Sequence, residues 1–373
     1  MFGIALRSLL LDRGKLVAAL LGVAFATALL LVEIGLYVGL VDGASALVRR
    51  VGGDVWLMAR GTEVIDNADT LPAGSDARLR ADPCVVGVRS LIVATVPVRK
   101  PSGAIDFVQV VGTELDVSPP IPWSLTQGRI GDLAAPLAVA IDEHDVEKLQ
   151  LAAAIGATFE ISGARVHVVA MTTGIRAFSL NPYVFTDLAN ARRLAKLGDG
   201  EVHYWVAKAR DASCVRDLLS AFPRGAAVEA RTTRDLASMT ERYWVQGSGA
   251  GAALAFSALF SLAVGAIIVG QTLYAITKEH IRELATLRAM GGTRGEIVAF
   301  IAWQAATFAF IGGGGGAAIA FALRAGLSRG GIEVALTAVV LGTGAAAVAV
   351  MCAVATVPSA LRALRVGPAE ILR

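Results

Sequence analysis

Three groups of residues could do chemistry. Asp142-Glu143-His144-Asp145 sets acids beside an imidazole, ligand types that hold divalent metals. The same acids also suit the first turn of a helix starting at Glu143. Glu33 is a lone acid inside an apolar run. A carboxylate in a membrane span is costly and marks either a function or a buried partner, unless it lies near the outer end and reaches water. The third group is Thr277 to Glu296, TKEHIRELATLRAMGGTRGE. Here Lys278, Arg282, Arg288 and Arg294 alternate with Glu279, Glu283 and Glu296, while Ile281, Leu284 and Leu287 recur every third residue on one side of a short helix. Gly291-Gly292 breaks that helix, and Thr293 and Glu296 have the spacing of a capping box that starts the next. Such a helix lies on the bilayer surface or docks in a groove on a partner; taken alone it is also what a positive-inside loop looks like. Catalysis has no support: GxxxxGK[ST] and HExxH are missing from the sequence, and the GxSxG spacing of Gly326-Leu327-Ser328-Arg329-Gly330 falls beside an apolar span rather than between a strand and a helix. No enzymatic activity, metal or cofactor of the chain's own is expected.

The elements around these residues place them in a membrane. The 373 residues are 55% hydrophobic and only 17% charged, with a mean hydropathy of +0.62. A soluble chain carries about 25% charge. The net charge of +3 is small and no basic face is interleaved with aromatics, so nucleic acid is not an expected partner. Residues 1–15 read as an interfacial helix, with Phe2, Leu6, Leu9 and Leu10 on one face. Leu16 to Val41 exceeds the ~20 residues a span needs, and with no small-residue cleavage site it reads as an anchor rather than a cleaved signal. Further spans are expected at 250–274, 297–323 and 334–357, joined by the charged loop 275–296 and a short loop 324–333, and followed by a basic tail, 358–373. Gly312 to Gly316, inside the third span, is either a hinge, a site of close helix approach, or simply a small-residue packing face.

Residues 42–249 have ordinary soluble composition and read as a mixed α+β domain. Strands are expected at 54–58, 89–98, 106–113, 136–141, 158–162, 165–171 and 203–208, and helices at 143–151, 187–197, 212–222 and 233–243. Cys84 and Cys214 share this domain, which allows a disulfide without fixing one. The bases at Arg7, Arg13 and Lys15, in the 277–296 loop and in the tail (Arg362, Arg365, Arg373) put both termini and that loop in the cytoplasm, and the domain outside. The expected fold class is therefore four membrane helices in a 1+3 arrangement, with a large extracytoplasmic α+β domain between the first and second.

The stretch Glu279 to Arg294, EHIRELATLRAMGGTR, resembles the REIGxLRAxGATR-type segment of FtsX-like permeases, the membrane subunits of MacB-type ABC transporters (type VII). The tail from Val357-Pro358 to Ile371-Leu372-Arg373 resembles that family's ending, and the first span with Gly53-Asp54-Val55-Trp56 is similar to the DevC type. The resemblance implies an inner-membrane, multi-pass subunit bound to two copies of a separate ABC ATPase, which holds the ATP and magnesium. It implies a homodimer or a pairing with a similar permease. Ile281, Arg282, Glu283, Leu284, Leu287 and Arg288 would form the coupling helix on the ATPase, with Gly291 and Gly292 as its corner. Membrane lipids, a periplasmic membrane-fusion adaptor and an outer-membrane TolC-like channel are further implied partners. The spans hold few polar residues, chiefly Glu33, Gln271, Thr272, Gln304 and Thr307, which line a hydrophilic channel poorly. That favours mechanotransmission: motion made by the ATPase is carried outward to export a hydrophobic or amphipathic cargo. The alternative is an FtsX-like regulator that activates cell-wall hydrolases and transports nothing.

Overall fold

The computed structural model describes residues 13–175, 181–279, 281, 286, 293–329 and 334–365. The chain divides into two compact units, Leu40–Gly249 on one side and the residues up to Gly39 with those from Ala250 on the other.

In the first of these, ten strands form one sheet among the described residues: β1 (Val55–Ala59), β2 (Val85–Arg99), β3 (Ile105–Thr113), β4 (Leu125–Gln127), β5 (Ala138–Asp142), β6 (Thr158–Ile161), β7 (Ala164–Thr172), β8 (Tyr183–Asp187), β9 (Tyr204–Ala209) and β10 (Val228–Thr232). The order is β10-β1-β9-β2-β3-β8-β5-β7-β4, with β6 against β2 and β7. Two pairs are parallel, β3 with β8 and β5 with β7. The period-2 rule of strands sorts their side chains to two faces. Val55 and Leu57 join Val110, Val184 and Leu218 in one core, whereas Trp56 and Met58 join Val111 and Leu236 in the other. The first core is covered by helices Leu188–Ala195 and Ala212–Ala221. The second takes Leu47, Val48 and Val51 from a long helix and Leu236 from helix Thr233–Arg242. Side-chain caps start three of these helices: Asp187 accepts from the Asn190 N–H, Asp211 from those of Ser213 and Cys214, and Thr232 from that of Asp235.

Three strands, β4, β8 and β10, fall outside the sequence expectation. β10 reads Val-Glu-Ala-Arg-Thr, too polar for an inward strand; Glu229 and Arg231 neutralise each other at 3.0 Å while five of its residues pair with β1. The helix expected at 143–151 is confined to Asp145–Lys148. Asp142 holds the turn before it by accepting from the Ile175 N–H at 2.8 Å and the Thr172 hydroxyl at 3.2 Å, and Gln150, at φ 58°, ends the helix early. Cys84 and Cys214, 130 residues apart in sequence, form a disulfide, a link worth about 2–4 kcal/mol in a domain of this kind.

The second unit is helical. Among the described residues four helices are long and apolar enough to cross a membrane: Arg13–Val51, Ala250–Glu279, Arg294–Arg329 and Ala338–Arg365. The third is interrupted by a π-helical turn, Phe308–Gly312. Ala19, Val23, Ala26 and Leu30 of the first pack with Val269, Leu273 and Ile276 of the second, Phe308 of the third, and Met351 and Cys352 of the fourth. The fourth runs through Pro358, where the sequence suggested a stop. The proline withholds an N–H from the Val354 carbonyl, and packing of Ala360 and Ala363 on Ile297, Phe300 and Ile301 holds the last turns helical.

Candidate functional site

Within the charged loop the described residues are few. In the last described turn of helix Ala250–Glu279, Lys278 is exposed. Ile281 is helical and half-buried, and Thr286 is helical and exposed. Arg282, Glu283, Leu284, Leu287, Arg288, Gly291 and Gly292 lie outside the described residues. At the loop's far end the capping box forms as its spacing suggests: the Glu296 N–H donates to the Thr293 hydroxyl at 3.3 Å, and the Thr293 N–H donates to the Glu296 carboxylate at 2.8 Å.

Glu33 does not reach water. It is 8% exposed and turns toward the second long helix, where the hydroxyls of Ser257 and Ser261 donate to its carboxylate, the latter at 3.2 Å. The two serines stand at i and i+4, so one face of one helix supplies both donors. Sequence reading singled out the acid but not these partners, although a serine pair at helical spacing in an apolar run was a readable signal. A consequence can be measured. Ser257→Ala with Ser261→Ala removes the donors and leaves a buried acceptor, a loss of about 1–3 kcal/mol. Adding Glu33→Leu should recover most of that loss in thermal unfolding in detergent; a triple variant less stable than the double would contradict the pairing.

The five glycines are not equivalent. A Cβ on Gly312 would stand 2.7 Å from Val23 Cβ, and one on Gly316 would stand 2.5 Å from the Ala24 carbonyl oxygen and 2.5 Å from Thr27 Cβ. A Cβ on Gly314 meets nothing within 4 Å. Gly312 and Gly316 are thus the close-approach site, one helical turn apart against the first helix.

Within the sheet unit, the end of that first helix is held by side chains. The buried Arg89 guanidinium donates to the Val51 carbonyl at 2.6 Å and to the Pro119 carbonyl at 2.8 Å, capping the helix where Gly52 turns to φ 76°. The indole of Trp56 donates to the Thr233 hydroxyl at 3.1 Å, and Arg49 pairs with Glu241 of the helix Thr233–Arg242. A charge inside a strand is the signal that could have marked Arg89. After Arg242 the chain takes a π-helical turn, Tyr243–Gly247, and then Gly249 at φ 75° before the second long helix begins. Burial pushes the Asp66 carboxyl above its ordinary value, opposed by hydrogen bonds from Gln109 and from Trp244 of that turn. The first long helix, by contrast, runs without interruption from Arg13 to Val51.

At Asp142-Glu143-His144-Asp145, the Asp142 oxygens are engaged by backbone and by His144, and Glu143 accepts from the Thr126 hydroxyl at 2.6 Å. No group of three metal-ligating side chains is present among the described residues.

Two family descriptions match the chain. Residues 16–222 match the MacB-like periplasmic core domain, and residues 255–368 match the FtsX-like permease C-terminal domain. No curated protein matches it. Among solved structures, the periplasmic region of MacB from Actinobacillus actinomycetemcomitans is similar at 13% identity and a TM-score of 0.37, over 51% of this chain and 92% of that one. The extracellular domain of the noncanonic ABC-type transporter YknZ from Gram-positive bacteria is similar at 14% and 0.34, over 48% and 98%. A domain of a putative permease protein from Porphyromonas gingivalis is similar at 11% and 0.31, over 48% and 88%. At these TM-scores the family rests on the two sequence matches.

Proposed function

The chain belongs to the family of FtsX-like, MacB-type ABC permeases, and from that premise we propose that it carries mechanical work across the membrane for a separate ATPase subunit. The observation that carries this reading is the unbroken helix Arg13–Val51. At 1.5 Å per residue it is about 58 Å long, roughly twice the ~30 Å of a bilayer's hydrocarbon. Its far end is fixed by the Arg89 cap and packed under the sheet through Leu47, Val48 and Val51. A rod with an anchored end transmits displacement; a loosely tethered domain does not.

In this reading both termini and the loop around Thr286 face the cytoplasm of a cell's inner membrane, and the sheet domain faces outward. The Cys84–Cys214 disulfide supports that side, since such bonds persist in oxidising compartments. The ATPase, in two copies, holds ATP and magnesium and docks on the stretch Ile281 to Met290, whose sequence reads as a coupling helix. The permease acts as a homodimer or with a similar permease, and in DevC fashion it exports a hydrophobic or amphipathic cargo through a periplasmic adaptor and an outer-membrane channel. The test is affinity purification of the full chain in mild detergent, with mass spectrometry of what accompanies it. An ABC ATPase with an adaptor is the expected result. An ATPase with a cell-wall hydrolase would select the regulatory reading instead, and the lack of any ATPase would overturn both.

A further inference from the structure

The helical unit has a groove that the transmission of force does not use. It is a cavity of about 400 Å³ between the second and fourth long helices, lined by Ile267, Gly270 and Tyr274 on one wall and by Val354, Ala355 and Pro358 on the other. Its lining is almost wholly apolar, and its walls meet where Gly270 brings the helices close: a Cβ there would stand 3.5 Å from the Ala355 carbonyl oxygen.

Both walls end in a base. Residues 267, 270, 274 and 278 recur at i, i+3, i+7 and i+11, so Lys278 continues the first wall one turn beyond Tyr274. Arg362 continues the second one turn beyond Pro358 by the same spacing. Both side chains are exposed. Each is also the first charge after an uncharged helical run, 250–277 and 338–361, which is where lipid headgroups sit against a span.

We infer that this groove binds an anionic phospholipid, one acyl chain lying between the second and fourth helices and the phosphate between Lys278 and Arg362. The apolar slot fits the chain and the paired bases fit the phosphate. A second copy of this protein fits the same face poorly. A two-fold axis along the membrane normal would set each copy's Lys278 and Arg362 at the same depth as its partner's, four positive charges facing one another. A lipid phosphate supplies the opposite charge. The inference needs these helices to span a bilayer, and it stands whether or not the neighbouring loop docks on an ATPase.

The test uses the full chain, purified in mild detergent and stripped of lipid, then titrated with phosphatidylglycerol or with phosphatidylcholine of the same acyl chains. Bound lipid is counted by native mass spectrometry. Phosphatidylglycerol should occupy one site per chain at least about tenfold more readily than phosphatidylcholine. Lys278→Gln with Arg362→Gln should abolish the preference while the groove stays open. Ile267→Trp should lower phosphatidylglycerol occupancy with the charges untouched, and Arg324→Gln should change nothing. Thermal unfolding confirms that each variant is folded before its lipid count is used. Equal binding of the two lipids overturns the inference. So does an Ile267→Trp variant that binds normally, because general attraction to surface charge would then suffice. Ready disulfide formation between copies of an Ile267→Cys variant in native membranes also overturns it, by placing a second copy in the groove. ATPase co-purification is scored separately on the same variants, so that failure of the lipid site and failure of the transport reading are told apart.

Discussion

Gly316→Leu is expected to disrupt the helical unit, whereas Gly314→Leu is expected to leave it folded. The two positions differ by half a turn and share composition, span and neighbours in sequence. They differ in what a side chain would meet. At Gly316 even a Cβ lies 2.5 Å from the Ala24 carbonyl oxygen, and backbone inside a helix cannot step aside as a flexible side chain can. The third helix must then move off the first, giving up the contact around Val23, Phe308 and Met351. Overpacking of this kind costs about 1–3 kcal/mol even where side chains can adjust, and a leucine against backbone belongs at or above the top of that range. At Gly314 nothing lies within 4 Å, so leucine gains helix propensity and loses no contact. Thermal unfolding and monodisperse yield in detergent should separate the two sharply. Equal behaviour would mean that the close approach does not hold the unit together.

Leu284→Asp should weaken ATPase binding far more than Glu283→Ala does. The stripe of Ile281, Leu284 and Leu287 is read as the apolar face of a docking helix, with Glu283 and Arg288 at its edge. An apolar anchor in a packed pocket contributes about 2 kcal/mol or more, roughly a thirtyfold change in affinity. An exposed ion pair rarely exceeds about 1 kcal/mol. Co-purification in mild detergent should therefore lose the ATPase with Leu284→Asp and keep most of it with Glu283→Ala. The reverse order would assign the docking to charge and remove the coupling-helix reading.

Much of this architecture could be read from residues alone, because continuous hydropathy marks spans and period-2 patterns mark half-buried strands. The cap at Thr293 was legible for a local reason: an N-cap side chain and its backbone donor lie within three residues. The caps at Asp211 and Thr232 have the same short spacing but were not singled out in the sequence. What escaped depended on residues far apart in the chain. Glu229 and Arg231 make β10 look like a loop until β1 supplies its partner. Nothing in a run of five identical glycines tells which two face the first helix. The donors to Glu33 stand more than two hundred residues away, at Ser257 and Ser261. The Cys84–Cys214 bond rests on a Cα–Cα separation of 5.2 Å that spacing in sequence does not encode. Pro358 is a helix breaker by local rule, overruled by packing on Ile297 and Phe300.

The central claim is that the sheet domain and the loop around Thr286 lie on opposite sides of a membrane, so that work done at one is delivered at the other. Thiol accessibility tests it most directly, and the native background is low because Cys352 is buried and Cys84 is bonded to Cys214. Single cysteines at Ser102, in the turn between β2 and β3, and at Ser328, near the end of the third long helix, should react with a membrane-impermeant reagent in intact spheroplasts. A cysteine at Thr286 should react only after the membrane is opened. Labelling of Thr286→Cys from outside, with Ser102→Cys protected, would contradict the account.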